Sequence, residues 1–141
     1  MINRREFINY SVLASSLLIA PSRVFGANER FNIAFIGIGG KGLHAIKSLG
    51  NHHKKGRINF IAFADVSDGK ASHARKMHPE IPYYNDFRLM LDACKDQIDG
   101  IIVSTPDHTH HYIAATCMLA GKHVYLEKPL AHNIKETRHL M

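Results

Sequence analysis

The fold is decided by the stretch Phe31-Asn32-Ile33-Ala34-Phe35-Ile36-Gly37-Ile38-Gly39-Gly40-Lys41-Gly42. Its first six residues are a short apolar run rich in branched and aromatic side chains, which predicts a buried strand. The glycines then follow with the spacing G-x-G-x-x-G. Beyond them, Leu43, Ile46 and Leu49 recur every three positions, which predicts a helix that ends at Gly50-Asn51. The stretch therefore predicts a strand, a glycine turn and a helix in direct succession.

The glycine turn has the chemistry of a pyrophosphate site. Gly37 permits a tight turn, Gly39 lets the backbone approach a ligand, and Gly42 lets the helix pack close to the strand. The neighbouring residues Ile38 and Gly40 are candidates for the same contact. Unpaired N–H groups and the positive end of the helix dipole favour an anion there. We expect a dinucleotide at this turn; the alternative is a strand–helix turn without a ligand.

Strands and helices alternate along the rest of the chain. The patterns predict further strands at 58–64, 83–84, 98–105 and 123–126, and further helices at 67–77, 86–96, 108–120 and 133–141. Such alternation predicts an α/β fold, a doubly wound parallel sheet of the Rossmann type. That fold has six strands, and only five are predicted here. We therefore expect the sheet to be truncated before its last strand, either as a fragment or as a trimmed domain.

Asp65 is the candidate ribose ligand. It closes the second predicted strand, near the spacing at which a carboxylate binds the adenosine ribose. A carboxylate accepts from ribose hydroxyls and repels a 2′-phosphate, and no basic residue directly follows Asp65. NAD is therefore expected as the cofactor, and NADP less so.

Composition and charge are those of an ordinary globular protein. The 141 residues carry a formal charge of +6, and the densest basic run, 52–57, lacks interleaved aromatic residues. A solvated loop is favoured there over a nucleic-acid surface. The two cysteines, Cys94 and Cys117, show no paired spacing, so buried thiols are favoured over zinc ligands or a disulfide.

The first 27 residues have the layout of an export signal. Arg4 and Arg5 precede an apolar run from Val12 to Ala20, and small residues follow Pro21. The run is about half of the ~20 residues that a membrane-spanning helix needs, so no stable membrane anchor is expected. The adjacent arginines resemble a twin-arginine signal, which carries folded proteins. A plain amphipathic helix is the alternative. This divides the chain into a signal segment, 1–27, and a dinucleotide-binding domain, 28–141, and predicts a periplasmic or otherwise exported protein.

Two polar segments follow the last two predicted strands, at the edge where open α/β sheets bind ligands. The segment Ser104-Thr105-Pro106-Asp107-His108-Thr109-His110-His111 invites a metal hypothesis, but only His108 and His111 would share a helix face, and no clustered acid completes a site. No metal is expected. In Glu127-Lys128-Pro129, an ammonium group could stabilise a substrate oxyanion or join a proton relay. Taken alone, the motif would be interpreted as an ordinary surface lysine, Lys128, before a proline.

Together, the glycine turn, the segment from Ser104 and the motif Glu127-Lys128-Pro129 resemble the Gfo/Idh/MocA oxidoreductases, over residues 31–141. The resemblance implies that Gly37, Gly39 and Gly42 hold the pyrophosphate and Asp65 the ribose. It places a second set of residues towards the nicotinamide: Ser104, Thr105, Pro106, His110 and Glu127. Lys128 would reach cofactor and substrate, and Pro129, often cis in the family, would shape the turn.

The resemblance also implies an activity. The expected protein is the NAD-binding part of an exported oxidoreductase that moves hydride between nicotinamide and a hydroxyl of a sugar, glycoside or cyclitol. A C-terminal α/β domain would bind the substrate, supply a proton acceptor and support a homo-oligomer; the 141 residues lack it. Two alternatives stay open. One is an NAD-dependent glycosidase, although that branch departs from the Glu-Lys-Pro motif, and the other is a non-catalytic nucleotide-binding module.

Overall fold

The computed structural model describes residues 30–141, so the expected signal segment, 1–27, lies outside the described residues. Five strands are present: β1 Phe31–Ile36, β2 Ile58–Ala64, β3 Tyr83–Tyr84, β4 Gly100–Val103 and β5 His123–Leu126. Five α-helices connect or follow them: α1 Gly40–Lys54, α2 Asp68–Met77, α3 Phe87–Cys94, α4 Asp107–Leu119 and α5 Ile134–His139. A short 3₁₀ turn, Lys95–Gln97, follows α3.

All strands are parallel and lie in one sheet, in the order β3-β2-β1-β4-β5. The strand order reverses at β1, which pairs with β2 on one side and β4 on the other. This is the doubly wound arrangement, and the predicted α/β Rossmann fold is confirmed. Its reversal point places the carboxyl ends of β1 and β4 side by side, where ligands bind in such sheets.

The core has two layers because β1 is buried on both faces. Ile33 and Phe35 pack against residues of α1 and α2 on one face, with Phe60 and Phe63 from β2. Phe35 meets both of these rings edge to face. On the other face, twelve buried residues come from the sheet, α3, α4 and the connection before β4: Ala34, Ile36, Ala62, Ala64, Met90, Leu91, Cys94, Ile98, Ile101, Val103, Ile113 and Cys117. Both cysteines are buried and free, as predicted.

Helix α1 and strand β4 differ most from their predicted bounds. Helix α1 continues through Gly50 to Lys54, so the prediction that it ends at Gly50-Asn51 was wrong. It ends instead before Gly56, which has φ +64° and donates to the carbonyl of His53. The first half of the basic run 52–57, residues 52–54, is consequently helical rather than a loop. A glycine inside a helix costs only about 1 kcal/mol, which the packing of the remaining turns offsets.

Strand β4 is shorter than the predicted strand at 98–105. Ile98 is buried, but it follows the 3₁₀ turn and reaches the core before the ladder begins at Gly100. Burial, rather than strand pairing, accounts for the apolar residue there. Within the described residues, no helix has the length and apolar character needed to cross a membrane.

Substitutions at two glycines test the effect of backbone conformation without a change in packing. A Cβ at Gly50, inside α1, or at Gly121, after α4, would meet no atom within 4 Å, but Gly121 has φ +73°. Gly50→Ala should raise the free energy of unfolding by about 0.5–1 kcal/mol, because alanine favours a helix. Gly121→Ala should lower it by about 1–2 kcal/mol, because φ is positive. Urea denaturation of both variants tests this, and changes of the same sign would contradict it.

Candidate functional site

The glycine turn fits between the carboxyl ends of β2 and β4. Gly37 has φ +78°, and its N–H donates to the carbonyl of Ala64 at 2.8 Å. A Cβ at Gly37 would lie 2.7 Å from the carbonyl oxygen of Ser104. A side chain at this position would therefore displace the end of β4, which is why the turn needs glycine here.

Helix α1 begins directly against this turn. A Cβ on Gly42 would lie 1.8 Å from the carbonyl oxygen of Gly37, so only glycine lets the helix start so close to the strand. Gly39 is the N-cap and provides no side-chain hydrogen bond, and the first turn contains no acid. Gly40, with φ +44°, has open space where a Cβ would be. The N–H groups and the dipole of the helix therefore act on this space without a carboxylate of that turn to offset them.

Asp65 holds the turn from the end of β2. Its Oδ2 accepts hydrogen bonds from the N–H groups of Ile38 at 2.9 Å and Gly39 at 3.2 Å. Its Oδ1 accepts from the N–H of Ser67 at 2.9 Å. An ionised carboxylate offers about four lone-pair sites, so three bonds leave about one site for an external donor. The residue predicted to bind ribose thus also fixes the conformation of the glycine turn.

The segment after β4 lies beside the same turn. Ser104 donates its N–H to the carbonyl of Ile36 at 2.8 Å, and its Oγ is buried without a hydrogen-bond partner among residues 30–141. Thr105 and Thr109 join their hydroxyls at 2.8 Å, and Pro106 is the N-cap of α4. A buried hydroxyl of this kind costs free energy unless a ligand or water pairs with it.

His110 has a different environment from the one expected for a residue beside a cofactor. Its side chain is buried at 1% exposure inside the first turns of α4. Nδ1 lies 2.7 Å from the carbonyl oxygen of Pro129, and Nε2 lies 2.8 Å from that of Thr105. Both ring nitrogens are therefore engaged by backbone, and a polar contact between His110 and a cofactor stays a prediction.

Glu127, Lys128 and Pro129 follow β5 at the same edge of the sheet. The N–H of Glu127 donates to the carbonyl of Val103 at 3.0 Å, which continues the ladder beyond the strand. The Lys128–Pro129 peptide bond is cis, and Lys128 is exposed. Glu127 also lines, with Lys41, a groove of 580 Å³ between α1 and the exposed face of β4 and β5. The lysine ammonium is thus free to meet a ligand at this edge.

The histidines of α4 do not gather as a metal site. His111 Nε2 lies 2.7 Å from Nδ1 of His139, and His108 Nδ1 lies 3.7 Å from the carboxylate of Asp107. The hydrogen bond from the backbone N–H of His108 is the main cause that holds the pKa of Asp107 below its usual value; burial opposes it, and a hydrogen bond with His132 and the charges of His132 and His108 lower the pKa further. These groups form surface contacts between the start of α4 and the segment that ends in α5.

The structure contains a cluster of two histidines and a glutamate that the sequence patterns did not indicate. His53, His78 and Glu80 place their donor atoms within 4.8 Å of one another, at the opposite edge of the sheet. However, Nδ1 of His53 accepts the N–H of Phe60 at 3.3 Å, and the two rings stack at 4.4 Å. His78 is buried in the same aromatic cluster and contacts Glu80 at 3.3 Å. His53 lies at the end of α1, whereas His78 and Glu80 follow α2, and only the folded sheet brings these two segments together. In the sequence, the two-residue spacing of His78 and Glu80 was the only sign of such a cluster.

Cys117 is excluded as a nucleophile by its surroundings. Burial raises the pKa of its thiol to about 12, so the reactive thiolate is scarce at neutral pH. Its position within the core cluster explains this shift. The candidate ligand contacts at the carboxyl edge of the sheet are the N–H groups of the glycine turn and the side chains of Asp65, Ser104 and Lys128.

The residues present fit a nicotinamide dinucleotide. The start of α1 offers backbone N–H groups to an anion, Asp65 keeps one acceptor site for a hydroxyl, and Ser104 holds an unpaired buried hydroxyl. All of them lie at the carboxyl ends of β1, β2 and β4, at the reversal point of the sheet. A ribose, an anion and a polar ring edge could be bound in that order along the edge, from β2 through β1 to β4.

Comparison with known proteins agrees with this geometry. Residues 31–141 match the model of an oxidoreductase family with an NAD-binding Rossmann fold, GFO_IDH_MocA. Inositol 2-dehydrogenase 1 of Saccharopolyspora erythraea is 31% identical over 99 residues, which are 70% of this chain and 28% of that protein. Glycosyl hydrolase family 109 protein 1 of a Shewanella species is 32% identical over 126 residues, which are 84% of this chain and 26% of that protein.

A solved structure shares the fold. The WlbA dehydrogenase of Chromobacterium violaceum, crystallised with NADH and UDP-GlcNAcA, superposes with a TM-score of 0.68 at 22% identity and covers 81% of this chain and 32% of its own. The chain thus spans less than a third of the length of each of these relatives. On the match over residues 31–141 and the geometry of the glycine turn, the chain belongs to the Gfo/Idh/MocA family of oxidoreductases and carries its NAD-binding Rossmann fold.

Proposed function

We propose that this chain is the cofactor-binding part of an exported NAD-dependent dehydrogenase that acts on a hydroxyl of a sugar, glycoside or cyclitol. One observation carries the proposal. A glycine turn at the start of α1 and an exposed lysine lie at the carboxyl edge of the same sheet, after β1 and after β5. The first holds a dinucleotide, and the second supplies an ammonium group where the other end of that dinucleotide would lie.

The residues have separate tasks in this proposal. The first turn of α1 binds the pyrophosphate through N–H groups, and Asp65 accepts a ribose hydroxyl. Bound there, NAD supplies the hydride acceptor. Lys128 would donate a hydrogen bond to the substrate oxygen and stabilise the negative charge that builds up there as the hydroxyl proton passes to an acceptor elsewhere in the whole protein and hydride passes from the carbinol carbon to NAD. Glu127 and Ser104 line the two sides of that space.

Support for the substrate class comes from the relatives. One is an inositol 2-dehydrogenase, and another was crystallised with a nucleotide sugar. Both names describe polyhydroxylated rings, in which one carbinol carbon must be selected among several. The chain itself offers no second domain for that selection among residues 30–141, so we infer that further residues of the whole protein, and a homo-oligomer built from them, bind the substrate.

A second candidate is an NAD-dependent glycosidase. The Shewanella glycosyl hydrolase family 109 protein covers more of this chain, 84%, than the inositol dehydrogenase does. Incubating the whole protein with NAD and a panel of cyclitols and aryl glycosides separates the two. Accumulation of NADH with a cyclitol supports the dehydrogenase, whereas release of the aryl group without net NADH supports the glycosidase. Tight NAD binding with neither product would leave a nucleotide-binding module.

The cofactor preference is tested at Asp65. Replacing Asp65 by Ala should weaken NAD binding by roughly 10- to 100-fold, because a charged hydrogen bond to ribose is lost. NADP should lose less, because repulsion of its 2′-phosphate disappears together with that bond. Asp68→Asn is the control, since this exposed acid contacts Arg75 rather than the glycine turn. Titration with both cofactors gives the ratio of affinities, and equal losses for NAD and NADP would refute the ribose assignment.

The role of Lys128 is tested by turnover. Replacing Lys128 by Met in the whole protein should lower kcat by about 10²- to 10³-fold, the usual loss when one hydrogen-bond donor to an oxyanion is removed, with little change in NAD affinity. Lys135→Met, at an exposed position of α5, serves as the control. Stopped-flow measurement of NADH formation and equilibrium NAD titration are compared. Turnover that is unaltered in Lys128→Met would remove the lysine from the reaction.

Export is tested at the paired arginines. The proposal places the mature protein outside the cytoplasm, carried by the twin-arginine route after it has folded and bound its nucleotide. Changing Arg4 and Arg5 together to Lys should strongly reduce the fraction recovered from the periplasm of a bacterial host, whereas Arg23→Lys should not. Immunoblotting of fractionated cells measures this. Equal recovery of the two variants would show that the arginine pair is no signal.

A further inference from the structure

His110 bridges two loops through the two nitrogens of one ring. It lies in the first turns of α4, and its side chain is buried at 1% exposure. Nε2 faces the carbonyl oxygen of Thr105, two residues after β4, and Nδ1 faces that of Pro129, three residues after β5. The ring therefore connects the ends of two neighbouring strands at the ligand-binding edge.

Both partners of the ring can only accept hydrogen bonds. A carbonyl oxygen has no hydrogen to donate, and a neutral imidazole has one N–H and one bare lone pair. In a neutral ring, one nitrogen lone pair would face a carbonyl lone pair at under 3 Å, which is repulsive. Distances of 2.7 and 2.8 Å are those of N–H···O hydrogen bonds, and each carbonyl requires its ring nitrogen to be the donor. The two contacts are satisfied together only when both nitrogens carry hydrogen.

The second partner belongs to the turn that carries Lys128. Lys128, Pro129 and Leu130 are all exposed, so packing does little to fix them. The N–H of Lys128 bonds at 3.2 Å to the side chain of Glu127, its own neighbour, and this bond does not tie the turn to the rest of the fold. The bond between His110 and Pro129 does, because it joins a buried ring of α4 to the residue that directly follows the lysine.

We propose that His110 is a positioning residue for Lys128, which it holds by donating hydrogen bonds from both ring nitrogens, to Thr105 and to Pro129. The doubly protonated ring fixes the turn after β5 against the end of β4, and with it the distance between Lys128 and the nicotinamide end of the cofactor site. This inference rests on the proposed role of Lys128. It assigns His110 to the support of the site and not to direct contact with the cofactor.

The protonation of the ring can be observed directly. In the whole protein labelled with ¹⁵N-histidine, both His110 nitrogens should show the signals of protonated nitrogen near neutral pH. The exposed His44 and His73 provide the comparison within the same spectrum. Assignment is made with a His110→Gln sample. A neutral pattern, with one bare nitrogen on His110, would overturn the proposal whatever the enzyme catalyses.

The link to Lys128 is tested by a double-mutant cycle. His110→Leu should lower kcat by roughly 10-fold or more with near-unchanged NAD affinity, and His110→Gln, which retains a donor, should lose less. In the Lys128→Met background the same changes should have almost no further effect, because the residue that they position is gone. His108→Leu, at an exposed position of the same helix, is the control.

The outcomes of this cycle are distinct. Losses that multiply in the double variant, or equal losses of NAD affinity, would show a merely structural histidine and overturn the proposal. If His110→Leu does not fold, as judged by circular dichroism, the His110→Gln cycle and the nitrogen spectrum decide it. A wild-type protein without turnover would instead overturn the proposed function, and the nitrogen spectrum would still be read for His110.

Discussion

The structure depends on one close approach, in which the chain leaving β1 passes between the ends of β2 and β4. Gly37 and Gly42 stand where any Cβ would overlap backbone atoms, at 2.7 Å from Ser104 and 1.8 Å from Gly37 itself. The approach allows α1 to begin against the sheet, with its positive end at the reversal point. A side chain at either position would separate the helix from the strand, and the anion site and the pairing of β4 would be lost together.

Asp65 and His110 connect further segments at the same edge of the sheet. Asp65 connects the end of β2 to the turn after β1, and His110 connects the segments after β4 and β5. The edge is thus joined by polar side chains from strand to strand, above a core that is almost wholly apolar. Because each of these groups has bonds within the protein, the site is largely organised before a ligand arrives, which reduces the entropy lost on binding.

The sequence predicts the strands well because they are short apolar runs, of which the central one, β1, is buried on both faces. The apolar runs at 31–36, 58–64 and 123–126 became strands with the predicted bounds, and the glycine spacing placed the turn. Helix ends were harder to predict, since Gly50 looks like a stop locally while the packing of α1 continues past it. The bonds of His110 could not be predicted, because Pro129 is distant in sequence and only the parallel sheet brings it near.

The same limit applies to the aromatic and histidine cluster at the opposite edge. His53 follows a helical pattern, and nothing local indicates that its ring stacks on Phe60 and accepts that residue's N–H. Contacts between elements depend on the order of strands in the sheet, and that order is a property of topology rather than of any one segment. Sequence motifs therefore locate the candidate site to an edge, and the structure shows which of its residues contact one another.

The central place of β1 has a consequence for synthesis. It is the first strand of the described chain to be made, and it ends at Ile36. Its second neighbour, β4, ends at Val103, 67 residues later. At about 5–20 residues per second, the ribosome leaves one edge of this apolar strand unpaired for roughly 3 to 13 s. During that interval the nascent chain presents a bare hydrophobic edge, the kind of surface that chaperones protect.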